Sequence, residues 1–160
     1  MKVAIIMGSD SDYNVVEKGE KILKDFGIEV QVRVISAHRT PNRAMEFAKN
    51  AEENGFEVII GAAGKAAHLP GVLASLTVLP VIGLPIKSST MDGLDSLLSI
   101  VQMPKGIPVA TVAINGAENA ALLAIQILSV KYPELREKLK AFRELQEKEV
   151  IKKDEGFLNR

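Results

Sequence analysis

The sequence predicts a single-domain α/β fold: a doubly wound parallel sheet with helices on both faces, plus a C-terminal helix. Three observations predict it. Short runs rich in valine and isoleucine alternate with longer stretches whose apolar residues recur at helical spacing. The short runs are nearly continuously apolar, as strands covered on both faces must be. The order reads βαβαβαβαβα, and right-handed crossovers turn such an order into a parallel sheet. The 160 residues are enough for one core.

Lys2 to Met7 is the first expected strand, ending at Gly8-Ser9-Asp10-Ser11-Asp12, whose last residues suit a helix cap. Val15, Val16, Gly19, Ile22, Leu23 and Phe26 then share one helical face, and Gly27 suits a left-handed stop. Ile28 to Ile35 is the second strand. Thr40 then Pro41 predicts an N-cap with proline at the first helical position, and Ala44, Phe47, Ala48 and Ala51 form the buried stripe up to Gly55. Phe56 to Ile60 is a strand, Gly61 to Gly71 a long loop of small residues, and Val72 to Leu76 a short helix. Val81 to Leu84 and Pro108 to Val112 are the remaining strands, with a helix over Leu94 to Val101 between them.

Ala117 to Val130 reads as a buried helix: it contains Glu118, Asn119 and Gln126 and is shorter than the roughly 20 apolar residues of a membrane span. After Tyr132-Pro133, Leu135, Leu139 and Phe142 draw a narrow apolar line on a helix rich in lysine and glutamate, expected over about 133–150, with 152–160 as a tail. That helix either packs on its own domain or docks on a neighbouring subunit. No repeat or linker divides residues 1–160, whose core is expected over about 2–130.

Composition narrows the function classes. Lysine plus arginine equals aspartate plus glutamate at 20 each and tryptophan is absent, so neither a basic field nor a stacking platform points to nucleic acid. A small-molecule ligand is the expectation. Without cysteine there is no disulfide framework, thiolate nucleophile or cysteine zinc site. The apolar run Val3 to Met7 is too short for a signal-peptide core, and the expected location is the cytoplasm.

On an open parallel sheet, ligands bind beyond the carboxyl ends of the strands, and the chemistry-bearing residues of this chain fall there. His38 is the better candidate for proton transfer, since Ser36 and Arg39 beside it add a hydroxyl and an anion clamp. A structural, hydrogen-bonded histidine is the competing reading. His68 has a poorer polar neighbourhood, and ordering its loop is as good an account as catalysis. Gly8-Ser9-Asp10-Ser11-Asp12 lacks the dinucleotide and Walker glycine spacings but opens a helix, where amides and serines can hold a phosphate. Asp12 suits ribose hydroxyls, or it only caps the helix.

Gly61-Ala62-Ala63-Gly64-Lys65-Ala66-Ala67 allows close approach of a flat ring to the backbone, though tight packing needs the same residues. Lys65 is its one charge, an anion attractor or an exposed loop tip. Two histidines in separate loops without acidic partners make no metal site, and no Gly-x-Ser-x-Gly elbow is present. No metal and no cofactor is expected.

Taken together and in this order, Gly8-Ser9-Asp10-Ser11-Asp12, Ser36-Ala37-His38-Arg39-Thr40-Pro41, Ala66-Ala67-His68-Leu69-Pro70-Gly71 and Asp95-Ser96-Leu97-Leu98-Ser99-Ile100-Val101-Gln102-Met103-Pro104 closely resemble the PurE family, the 5-(carboxyamino)imidazole ribonucleotide mutases of purine biosynthesis. The resemblance covers about residues 2–130. It implies an isomerase that moves the carboxylate from the exocyclic nitrogen of the substrate to ring carbon 4, without metal, ATP or biotin. His38 becomes the general acid/base. Ser9, Asp12 and Arg39 become nucleotide-binding positions, with Arg39 near the phosphate and Asp12 near the ribose. Ser36 and the loop Gly64, Lys65, Ala66, His68 and Leu69 would enclose the ring and the transient carbon dioxide, which must be trapped to keep the advantage of proximity. The family's homo-octamer, with sites at subunit boundaries, would account for the apolar segment Leu94 to Met103 and for the terminal helix.

Two features depart from the family pattern: Lys65 stands where glycine is expected, and the loop Ile114-Asn115-Gly116-Ala117-Glu118-Asn119 is about two residues short. The nearest alternative is a sister carboxylase that adds free carbon dioxide to 5-aminoimidazole ribonucleotide. That class resembles this one but has lysine after the first histidine and a different Gly-rich loop without the Ala-Ala-His-Leu-Pro tract, so Arg39 and His68 favour the mutase. An alternative of another class is a non-catalytic, nucleotide-binding module of flavodoxin-like shape.

Overall fold

The computed structural model describes residues 1–158. Strands β1 (Lys2–Met7), β2 (Glu29–Val34), β3 (Val58–Gly64), β4 (Val81–Ile86) and β5 (Ala110–Thr111) form one parallel sheet in the order β2-β1-β3-β4-β5. Ile5 of β1 lies opposite Val32 on one side and Ile60 on the other, so β1 is paired along both edges. The order reverses between β1 and β3, the switch point at which doubly wound sheets open a cleft. This is the flavodoxin-like α/β arrangement expected from the sequence.

Period-two alternation divides the strand side chains between two cores. Val3, Ile5, Met7, Val58, Ile60 and Ala62 meet α1 (Tyr13–Asp25), α5 (Ala117–Leu128) and the start of α6 (Pro133–Leu158). Ala4, Ile6, Ile59 and Ala63 meet α2 (Pro41–Asn50), α3 (Leu69–Ala74) and α4 (Leu94–Val101). Ile5, Ile6, Leu73, Ile82 and Ile125 are among the largest fully buried side chains, each contributing about 1.5–3 kcal/mol through burial. The α1–α5 crossing is tight at Gly19, where an added Cβ would lie 2.6 Å from the Ala117 carbonyl oxygen.

Several boundaries differ from the sequence expectation. β3 runs on to Gly64, so Gly61 to Gly64 belong to the strand rather than to a loop, and β4 likewise runs two residues further to Ile86. Alanine and glycine carry neither period, yet here they let α3 pack close: a Cβ on Gly61 would sit 3.1 Å from Pro70. α3 accordingly starts at Leu69, ahead of the expected Val72. β5 shrinks to two residues. β2 is an edge strand, with Glu29, Gln31, Arg33 and Val34 exposed.

The terminal helix continues to Leu158 where a tail is expected; residues 159–160 of that expected tail lie outside the described residues. Its first turns are held by buried Leu135 and Leu139, and Lys138 donates to the Phe26 carbonyl at the end of α1. Its first half packs on its own domain, while Leu145, Val150 and Ile151 are exposed further along. No described helix is long and apolar enough to cross a membrane.

Candidate active site

A cavity of about 600 Å³ opens where β1 and β3 end, within the range of small-molecule sites. Its walls come from the segments after β1, β2, β3 and β4. Ser9, Asp12, Ser36, His38, Arg39, Gly64, Lys65, Ala66 and Leu69 all line it. His68 is not part of the wall but reaches it through His38.

The turn after β2 presents His38, and Thr40 holds that turn shut. The Thr40 hydroxyl donates to the Ser36 carbonyl at 2.9 Å and accepts from the Ser36 amide at 3.0 Å, while the Thr40 amide also donates to Ser36 O at 2.8 Å. Thr40 was expected to cap α2. Its side chain makes no cap bond, because both hydroxyl functions serve the histidine turn. At the tip, His38 Nε2 lies 3.0 Å from His68 Nδ1, with the two rings edge to face at 77°.

Arg39 crosses to the neighbouring segment. It donates to the Gly8 carbonyl at 2.9 Å, and its amide and Nε reach Ser36 Oγ at 3.2 and 3.4 Å. The segments after β1 and β2 are thereby tied together.

Past Gly8, Asp10–Asp12 form a 3₁₀ turn that leads into α1. Ser9, not Ser11 or Asp12, is the cap: its hydroxyl accepts from the Ser11 amide, and Asp12 makes no cap bond. The Asp12 carboxylate is thus left to the cavity. Burial holds it above the usual aspartate range, opposed by hydrogen bonds from the Ser11 side chain and Ser9 backbone and reinforced by the Asp10 charge.

Sequence reasoning missed Ile86, Lys87 and Ser88, which line the cavity beyond β4. With β4 expected to end at Leu84, these residues fell outside any motif. Their position is bracketed by Asn115, whose side-chain oxygen accepts from the Lys87 amide at 2.8 Å and whose amide donates to Pro85 O at 2.8 Å. Asn115 makes this bracket with φ +58°, a conformation asparagine tolerates well. Among the described residues no cluster of three metal-ligating side chains occurs.

Fold and cavity together define a class, a doubly wound α/β protein with a nucleotide-sized cleft at its switch point and a pair of touching histidines at its edge. The family follows from comparison with known proteins. The family model described as AIR carboxylase matches residues 2–149, and the chain belongs to that family. It is 67% identical over 143 residues to the N5-carboxyaminoimidazole ribonucleotide mutase of Pyrococcus abyssi, covering 89% of this chain and 82% of that protein. To the mutase of the same name from Thermotoga maritima it is 60% identical over 152 residues, covering 95% and 89%. Among solved structures it is similar to Treponema denticola PurE, at 34% identity, 96% of each chain and a TM-score of 0.87.

Proposed function

We propose that the protein is a mutase converting 5-(carboxyamino)imidazole ribonucleotide to 4-carboxy-5-aminoimidazole ribonucleotide in purine biosynthesis. The observation that carries this reading is the His38–His68 contact at the cavity, in a chain whose relatives bear the mutase name. The chemistry needs one proton moved twice. His38 protonates the exocyclic nitrogen as its bond to the carboxyl carbon breaks, releasing carbon dioxide and leaving the amine. Ring carbon 4 then attacks the carbon dioxide, and His38 takes the proton that carbon 4 loses. The proton balance is zero, so a single residue suffices.

The other side chains divide the substrate between them. Arg39 and the turn at Ser9 hold the phosphate, where helix-opening amides and a guanidinium favour an anion. Asp12 takes the ribose hydroxyls. Ser36, Gly64, Ala66 and Leu69 enclose the ring and the carbon dioxide, with main chain close to the flat ring, and His68 acts on them through its contact with His38. The reaction as proposed calls on no metal or cofactor and takes place in the cytoplasm.

A homo-octamer is part of the proposal. Leu94, Leu98 and Val101 give α4 an exposed apolar stripe, and exposed Leu145, Val150 and Ile151 on α6 add a second apolar surface for neighbouring copies.

The carboxylase reading draws on the description of the matching family, AIR carboxylase. Initial rates on two feeds separate the two. Turnover of freshly made N-carboxylated nucleotide at low bicarbonate is the expected result. Turnover only of the uncarboxylated nucleotide with bicarbonate would make the protein a carboxylase, and turnover of neither, with nucleotide bound, would leave a binding module.

A further inference from the structure

Three cations line the cavity, and two are engaged. Arg39 donates to the Gly8 carbonyl and to Ser36, and Lys87 pairs with Asp92 at 3.1 Å. Among the described residues nothing pairs with Lys65. Its backbone is also costly: φ is +55°, a region that glycine occupies without strain and a side chain does not. A lysine held at such a position, on the wall of a cavity, points to a function for its charge.

Its place in the fold indicates which ligand charge it meets. The Ser9–Asp12 turn leads into α1 on one face of the sheet, whereas Lys65, His68 and His38 lead into α3 and α2 on the other. Lys65 stands three positions before His68, on the segment that brings the two histidines together. That is the end of the cavity where protons move.

We propose that Lys65 holds the carboxylate being transferred, in both the N-carboxylated substrate and the C-carboxylated product, and so sets the preference for carboxylated over uncarboxylated nucleotide. The inference rests on the function proposed above. A carboxylate at either end of the transfer carries a negative charge, and the carbon dioxide between them carries none. The ammonium therefore favours the two bound end states, and its loss falls on their affinity more than on kcat.

Calorimetric titration of the full chain with 4-carboxy-5-aminoimidazole ribonucleotide, and separately with 5-aminoimidazole ribonucleotide, tests this in wild type, Lys65→Gly and Lys65→Met. Both variants are expected to bind the carboxylated nucleotide about tenfold more weakly, with unchanged affinity for the uncarboxylated one. Lys65→Gly, relieved of the left-handed lysine, is expected to melt above wild type while Lys65→Met does not, which separates charge from backbone. Equal weakening of both nucleotides would move Lys65 to the phosphate, and unchanged affinities would make it a bystander; either overturns the inference. A wild-type protein that turns over neither feed would bring down the proposed function and this inference with it. Wild-type mutase activity with no change in selectivity in the variants would sink the inference alone.

Discussion

His38 Nε2 and His68 Nδ1 meet at 3.0 Å across two loops that leave different strands. The contact fixes the His38 ring from outside its own turn, and one nitrogen of the pair carries the shared proton. His38→Asn is expected to lower turnover by about 10²- to 10⁴-fold while nucleotide binding persists, as read by single-turnover rates beside calorimetry. His68→Asn keeps a group able to meet His38 and is expected to lose less turnover than His68→Leu. Near-wild-type rates in His38→Asn would remove this residue from the chemistry.

Thr40 is expected to matter through the turn it closes. Thr40→Val deletes the acceptor of the Ser36 amide, which costs about 1–3 kcal/mol for a donor left unpaired, while the Ser36 carbonyl keeps the Thr40 amide. The same change is expected to lower kcat because His38 loses its fixed position, and Thr40→Ser should restore both properties. Denaturant midpoints measured with kcat would show this; a stability loss without a kcat loss would leave Thr40 purely structural.

Asp12 offers a split between stability and binding. Its carboxyl sits above its usual range because of burial, so the ionised form is disfavoured in the fold, and the stability it lends at acid pH is lost as pH rises through the raised value. Asp12→Asn is therefore expected to be no less stable at neutral pH, yet to raise KM by about tenfold through weaker ribose contacts. A lower melting temperature with unchanged KM would contradict the assignment.

Glu57 contributes to the acid sensitivity of the fold. Burial pushes its carboxyl up, but hydrogen bonds from Lys131 and Tyr132 outweigh that and leave it below the usual glutamate range. A depressed acid stabilises above its unfolded value, and the contribution disappears as pH falls through the folded one. Glu57→Gln is expected to melt below wild type at pH 7, and the two curves should converge as pH falls below the ordinary glutamate range. Parallel curves down to acid pH would mean that the charge contributes nothing.

Much of this architecture was legible because its signals are local. β1 and α4 have the bounds their apolar patterns imply, and the segments carrying Ser9, Asp12, Ser36, His38 and Arg39 follow strands that could be read off. What escaped depends on relations in space. The histidine pair depends on α2 and α3 packing side by side on one face of the sheet, which brings together residues 30 positions apart. Lys65 stands where glycine is expected, yet lysine itself carries no mark of its φ of +55°. The last turns of α6 escape for another reason: lysine and glutamate form helix well without a buried face.

The chain leaves β1 toward α1 on one face and leaves β3 toward α3 on the other, so the cleft between them arises from connectivity and not from missing core. No void had to be carved among packed side chains to make room for a ligand. Polar rim residues such as Ser9, Asp12 and Lys65 stand outside the two apolar layers and can be exchanged without loosening them, whereas Leu69 and Ile86 belong both to the rim and to the core.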